Sequence, residues 1–135
     1  MAGRMRVMWV AALAACLSTA AAAAQGLELK SDADVLFGNA DNCTRPAQIV
    51  YKKVRDKTPE WKTIRAEGVD AGSARYDILV ERMEARIKRV VKALAKAEGC
   101  DCVVRKKDVV DTRGLDVIDI TDDAVKKLES GNDEP

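Results

Sequence analysis

Cysteine is the residue type whose spacing in this chain most directly suggests chemistry. The 135 residues include Cys16, Cys43, Cys100 and Cys102 but no histidine. A metal or redox site on the C-x-C pair would need more ligands, and neither histidine nor a second cysteine pair supplies them. Cys100 and Cys102 lie two apart in a predicted strand, so they should share one face and only one should pair with Cys43. We predict a structural disulfide among these three residues and no metal site.

Acidic side chains are the second group with chemical potential. Paired carboxylates can perform acid–base chemistry or bind Ca²⁺, but the spacing of these aspartates fits neither an EF-hand loop nor a known hydrolase motif. The absence of histidine also removes the commonest general base, and no glycine-rich phosphate loop is present. We therefore predict that the protein is not an enzyme and uses no cofactor. The aspartates are Asp108, Asp111, Asp116, Asp119, Asp122 and Asp123.

The first 24 residues have the three parts of a secretory signal peptide. Arg4 and Arg6 form a positive n-region, residues 7–17 form an apolar run, and alanines at 20–24 offer a cleavage site before Gln25. The apolar run is shorter than the roughly 20 residues that a membrane-spanning helix needs. This pattern predicts a periplasmic or secreted protein.

A lipobox-like sequence leaves a second processing route open. Leu13-Ala14-Ala15-Cys16 is similar to the bacterial motif in which the cysteine is lipidated and becomes the first residue. In that case the protein would be an outer-membrane lipoprotein, and Cys16 would be its contact with the membrane. Both routes take the protein out of the cytoplasm.

The mature chain is close to electrically neutral. After residues 1–24 are removed, 21 basic and 22 acidic side chains remain, with four scattered aromatic residues. This composition gives no support for nucleic-acid binding. The length fits one domain, which we place at residues 25–130, followed by a disordered tail at 131–135.

The strongest periodic pattern predicts a long helix between Ser73 and Glu98, ended by Gly99. Its apolar residues alternate in spacings of four and three, and Ile78, Leu79 and Val91 widen the apolar stripe. The helix either lies on its own sheet or packs against a partner helix, and the pattern leaves both arrangements open. The seam consists of Tyr76, Val80, Met83, Ile87, Val90, Leu94 and Ala97.

Shorter elements complete an α+β prediction. Thr58 and Pro59 indicate a helix start, and Gly68 indicates its end. Thr121 is the predicted N-cap of a short C-terminal helix, and residues 25–32 are expected to be frayed. Strands are predicted at 33–37, 100–105, 108–110 and 115–120. The predicted fold is a long helix or helical hairpin packed on, or projecting from, a small β-sheet.

Charge is segregated along the chain. Residues 81–107 hold nine basic and four acidic side chains, whereas residues 108–135 hold three basic and nine acidic ones. The basic helix face could be screened by these acids, which is the simpler interpretation, or could bind an acidic partner. An ordinary solvated helix face is a further alternative. The candidate binding residues are Arg82, Arg86, Arg89, Lys92 and Lys96.

The C-terminal half resembles the end of the Skp/OmpH-like family of periplasmic proteins. Ala95-Lys-Ala-Glu-Gly-Cys-Asp-Cys-Val-Val104 is similar to the family's A-x-x-x-G-Y-D-x-V strand entry. Val117-Ile-Asp-Ile-Thr-Asp-Asp-Ala-Val-Lys-Lys-Leu128 is similar to its final D-I-T-D-x-V-I-x-x-L segment. The similarity covers residues 74–128.

The resemblance implies a small β-body with a helical hairpin, often assembled as a homotrimer. The family role is to hold unfolded outer-membrane proteins without ATP, so unfolded or outer-membrane proteins are the implied partners. The alternative function is a lipid-anchored structural or oligomerisation module of the cell envelope, built on the lipobox and the heptads.

Overall fold

The computed structural model describes residues 26–132. The predicted signal peptide, Cys16 and the last three residues of the predicted tail lie outside this range. The elements in chain order are β1 (Glu28–Leu29), β2 (Val35–Gly38), β3 (Pro46–Ile49), α1 (Tyr51–Arg55), α2 (Pro59–Glu67), α3 (Ala74–Glu98), β4 (Cys102–Arg105), a 3₁₀ turn (Lys106–Asp108), β5 (Val109–Asp111), β6 (Ile118–Asp119) and α4 (Thr121–Glu129).

A four-stranded mixed sheet with the order β2-β4-β3-β6 is the centre of the molecule. β4 pairs antiparallel with β2 and parallel with β3, and β3 also pairs parallel with β6. β1 and β5 form a separate antiparallel ribbon. Cys102, Val103 and Val104 are all buried, because both faces of β4 are covered.

Two apolar clusters lie on opposite faces of this sheet. The larger one packs α3 and α4 against Ala47, Ile49 and Val103. The smaller one contains Cys102 and Val104, together with residues from the β1–β5 ribbon and from the loop that follows β2. The fold is therefore α+β with a long helix and a short C-terminal helix, as predicted.

α3 begins and ends where its sequence predicts. The Ser73 hydroxyl accepts a hydrogen bond of 3.2 Å from the Tyr76 backbone N–H, and Gly99 adopts a left-handed conformation at φ 69°. The buried side chains of α3 are Met83, Ile87, Val90, Val91 and Ala95. This stripe packs on the sheet of the same chain. For the central residues of the seam, the helix therefore lies on its own sheet, which is one of the two arrangements that the sequence left open.

α2 and the first half of α3 form a helical hairpin. The Thr58 hydroxyl accepts from the Trp61 N–H, Pro59 opens the helix, and Gly68 ends it in a left-handed conformation. Ion pairs join Glu60 to Arg86 at one end of the hairpin and Glu67 to Arg75 at the other. This arrangement matches the predicted helix between Thr58 and Gly68.

The strands differ from the predictions in three places. β3 was not predicted, because its four residues Pro46–Ile49 begin with proline and show no alternation. The segment at 25–32, expected to be frayed, includes the buried Leu27 and the paired strand β1. The strand predicted at 115–120 is confined to Ile118–Asp119.

Thr121 is the first residue of α4 and not its N-cap. The N-cap position belongs to Ile120, and the Asp119 carboxylate accepts a hydrogen bond of 2.9 Å from the Thr121 N–H. The Thr121 hydroxyl instead accepts from the Val50 N–H at 2.9 Å. The D-I-T-D segment therefore ties α4 to the end of β3 through Thr121.

One predicted disulfide pairing is present, between Cys43 and Cys102. Their Cα atoms are 5.9 Å apart and their sequence separation is 59 residues. Cys100 is a free, buried thiol that belongs to the larger cluster, whereas Cys102 belongs to the smaller one. The prediction that the two side chains share a face is wrong, because Cys100 precedes β4 and follows the left-handed turn at Gly99.

Removing the disulfide should destabilise the protein strongly. We expect Cys43→Ala/Cys102→Ala to lower the free energy of unfolding by about 4 kcal/mol, because the cross-link closes a long loop in the unfolded chain. Urea unfolding monitored by circular dichroism measures the difference. Cys100→Ala is the control, because it keeps the disulfide and its stability should still fall when reductant is added. Equal stability of the double variant and the parent would contradict this prediction.

Candidate functional site

Four exposed cations lie in one strip on the face of α3 that points away from the sheet. Arg82, Arg89, Lys92 and Lys96 are separated by seven, three and four residues, spacings that keep them on one side of a helix. With a rise of about 1.5 Å per residue, the strip is about 21 Å long. We call these four residues the basic ridge.

No residue among 26–132 forms an ion pair with the basic ridge. The nearby Lys88 pairs with Asp34 at 4.0 Å, and Glu129 of the acidic C-terminal segment pairs with Lys57 at 3.3 Å. The simpler interpretation of the segregated charge was that C-terminal acids screen this helix face directly. No such contact with the basic ridge is present within residues 26–132. All four side chains of the basic ridge are exposed to solvent.

Arg86 differs from the other four candidates. Its side chain is only 17% exposed, and its guanidinium lies against the Glu60 carboxylate, which is 10% exposed. The Nη2–Oε1 distance is 2.9 Å, and Nε donates to Oε1 and Oε2 at 3.0 and 3.1 Å. Arg86 thus joins α3 to α2 and does not belong to the basic ridge.

An apolar side chain extends the basic ridge toward the tip of the hairpin. Ile78 lies four residues before Arg82, on the same strip, and is 49% exposed. The prediction that Ile78 widens the buried stripe is wrong, because the helix rotates it to the side opposite Met83 and Ile87. A helical-wheel projection of the sequence alone separates Ile78 from the seam, so the signal was present but the heptad pattern concealed it.

The Asp101 carboxylate stabilises the turn that lies next to the disulfide. The Asp101 carboxylate accepts hydrogen bonds of 2.9 Å from the Thr44 N–H and hydroxyl, and one of 2.8 Å from the Arg45 N–H. Desolvation acts to raise the pKa of Asp101, but these hydrogen bonds outweigh it and hold the pKa below its ordinary value of 3.8. The carboxylate therefore stabilises the loop before β3 in its charged form.

The same corner contains the one cluster among residues 26–132 with metal-binding geometry. A carboxylate oxygen of Asp101 and the sulfurs of Cys43 and Cys102 lie within 4.8 Å of one another. Both sulfurs are bonded to each other, so neither is the thiolate that a metal requires. The group is a structural element in the oxidised protein.

Another group of acidic side chains lies at the start of α4. Desolvation acts to raise the pKa of Asp119, but hydrogen bonds from Thr121 outweigh it, and Lys106 and Lys53 add to the lowering. Asp122 and Asp123 lie in the first turn of the helix, where negative charge is favourable. These aspartates therefore have structural roles.

No helix within residues 26–132 is long and apolar enough to cross a membrane. Comparison with protein-family models, curated proteins and solved structures finds no match to this chain. The similarity to the Skp/OmpH-like family therefore rests on the two sequence segments alone.

Replacing Asp101 should produce a pH-dependent loss of stability. Because the pKa is lower in the folded than in the unfolded state, the carboxylate stabilises the protein above pH 3.8, and this contribution is lost as the pH falls through the folded value. We expect Asp101→Asn to lower the free energy of unfolding by about 1 kcal/mol at pH 7, since the amide offers a single, neutral acceptor oxygen. Urea titrations between pH 7 and 2.5 should show the difference shrink below pH 3.8; a constant difference would contradict it.

Breaking the Glu60–Arg86 pair should loosen the hairpin. We expect Glu60→Gln to lower the free energy of unfolding by about 2–3 kcal/mol, because it removes the carboxylate charge that faces the largely buried Arg86 guanidinium. Glu67→Gln is the matched control in the same hairpin, since its pair with Arg75 is exposed and should contribute less than about 1 kcal/mol. Equal effects of the two variants in urea unfolding would refute this role for Glu60.

Proposed function

We propose that this is an exported, non-enzymatic protein that binds unfolded polypeptides through the basic ridge and the adjacent Ile78, without ATP. The observation that carries the proposal is a strip of cations that have no ion-pair partner within residues 26–132. This strip lies on a helix whose opposite face is fixed on its own sheet. A surface of this kind offers charge and apolar contact without needing to change shape.

The disulfide supports the exported location. Cys43 and Cys102 are both almost fully buried, and their bond links the loop before β3 to the central strand. Such bonds persist in oxidising compartments and are rare in the cytosol. Together with the predicted signal peptide, this supports a periplasmic or secreted protein.

Binding at the basic ridge would be weak at each contact. An exposed ion pair contributes at most about 1 kcal/mol, so a client must engage several cations at once to be held. A strip about 21 Å long can contact roughly six extended residues. Acidic segments of an unfolded chain would be steered to the strip by its charge, and apolar residues could contact Ile78. Release then needs no energy source.

The geometry favours an open surface over a cage. α2 has nine residues, so the hairpin projects only about 14 Å along that helix. Met83, Ile87 and Val90 are buried in the larger apolar cluster of the same chain, so they are not available to form a seam with another chain. This argues against the alternative of an oligomerisation module built on the heptads. A homotrimer, which the resemblance implies, would have to assemble through other surfaces.

Reversing the charge of the basic ridge should weaken client binding strongly. We expect Arg82→Glu/Arg89→Glu/Lys96→Glu to weaken the binding of a urea-denatured outer-membrane protein by at least tenfold, because the strip becomes acidic. The measurement is suppression of client aggregation after dilution from urea, with affinity from fluorescence anisotropy of a labelled client.

The matched control changes the net charge by the same amount elsewhere. Lys30→Glu/Lys62→Glu/Lys126→Glu alters three exposed lysines that form no ion pair within residues 26–132. This control should bind the client as the parent does, and light scattering should give the same mass for all three proteins. An equal loss in both triple variants would show that only net charge matters, and the proposal for the basic ridge would then be wrong.

A further inference from the structure

A second cationic site lies at the edge of the sheet where parallel strands end. Ile49 of β3 is in register with Arg105 of β4, so the chain leaves both strands at the same edge. α1 follows the first strand and the 3₁₀ turn at Lys106–Asp108 follows the second. A cleft of about 580 Å³ lies between them. In open α/β sheets, ligands bind in the crevice outside the carboxyl ends of the parallel strands, and this cleft has the corresponding position.

The floor and the rim of this cleft differ in character. Ile49 and Val50 lie at the sheet edge, and the ring of Tyr51 is fixed from one side by the Arg105 guanidinium, 4.1 Å from its centroid. The residues that line the cleft include no carboxylate. Four cationic side chains line it instead, from both segments: Lys52, Arg55, Lys106 and Lys107.

Only part of the positive charge at the rim is paired with groups of the protein itself. Arg55 stacks over the Trp61 ring at 4.0 Å and pairs with Asp56 at 3.0 Å. Lys52, Lys106 and Lys107 are exposed and form no ion pair within residues 26–132, although Lys106 contributes to the field at Asp119. Three ammonium groups around an apolar floor call for a ligand that carries both an anionic group and an apolar body.

We propose that this cleft binds a small anionic amphiphile, a single carboxylate, sulfonate or phosphate group attached to an acyl chain or an aromatic body. The anionic group is held by Lys106 and Lys107, which are adjacent on the 3₁₀ turn, with Lys52 facing them from α1. The apolar body lies on Val50 and the Tyr51 ring. The volume falls in the range of about 300–1,000 Å³ that small-molecule sites occupy. The site goes beyond the proposed polypeptide binding, which uses the outer face of α3.

The test uses 1-anilinonaphthalene-8-sulfonate, an anionic aromatic probe whose fluorescence rises on binding. We expect saturable binding by the parent protein and at least tenfold weaker binding by Lys106→Glu/Lys107→Glu. Octanoate, a monocarboxylate that stays monomeric, should displace the probe. N-phenyl-1-naphthylamine, which lacks the sulfonate, should bind at least tenfold more weakly than the anionic probe.

Two controls separate this site from the basic ridge and from general charge. Lys30→Glu/Lys62→Glu should leave the probe affinity unchanged, and so should the triple variant of the basic ridge, even where that variant loses the client. Loss of probe binding in the ridge variant, or equal affinity in the cleft variant and the parent, would overturn the proposal. Sedimentation with phosphatidylglycerol vesicles without displacement of the probe by octanoate would also overturn it, since that result assigns the charge to a membrane surface.

Discussion

Burial of β4 on both faces is the constraint on which the rest of this structure depends. A strand of four residues exposes little area by itself, so it is stable only if both of its faces are covered. Val103 is covered by the helices on one side, while Cys102 and Val104 are covered by the ribbon and the loop on the other. The disulfide adds a covalent link on the second face, where the apolar cluster is smaller. The two layers thus differ in what stabilises them. The helical layer depends on the apolar area that it buries, whereas the opposite layer depends on the disulfide and a small number of apolar residues.

That division explains why α3 presents a charged outer face. A 25-residue helix that buries one stripe on a small sheet must solvate the opposite side, and arginine and lysine do so while retaining high helix propensity. Solvation alone does not require a single sign of charge, however. A surface stabilised by alternating acids and bases at four-residue spacing would serve equally well. The ridge cations instead follow one another without an acidic partner within residues 26–132, and this is the arrangement that the proposed binding role would use.

The sequence was informative where a local signal decides the structure. Ser73, Gly99, Thr58 and Gly68 act on their own helix ends, so their effects could be read without knowing the fold. β3 could not be predicted, because its partners lie about 55 and 70 residues further along the chain and its own residues carry no period. The sequence likewise allows two partners for Cys43, namely Cys100 and Cys102. The turn at Gly99, which places Cys100 on the other face, decides between them.

The candidate sites differ in the same way. The members of the basic ridge lie on one helix, so their spacing placed them on one side, and only Arg86 required the tertiary structure to show its pairing with Glu60. The cleft joins Lys52 to Lys106 and Lys107 across more than fifty residues, and only the parallel register of β3 and β4 brings them together. Long-range strand pairing therefore does more in this protein than form the hydrophobic core. It places cations from two segments around one apolar floor, and a compact ligand can be enclosed there, whereas an extended chain is better matched to the open ridge.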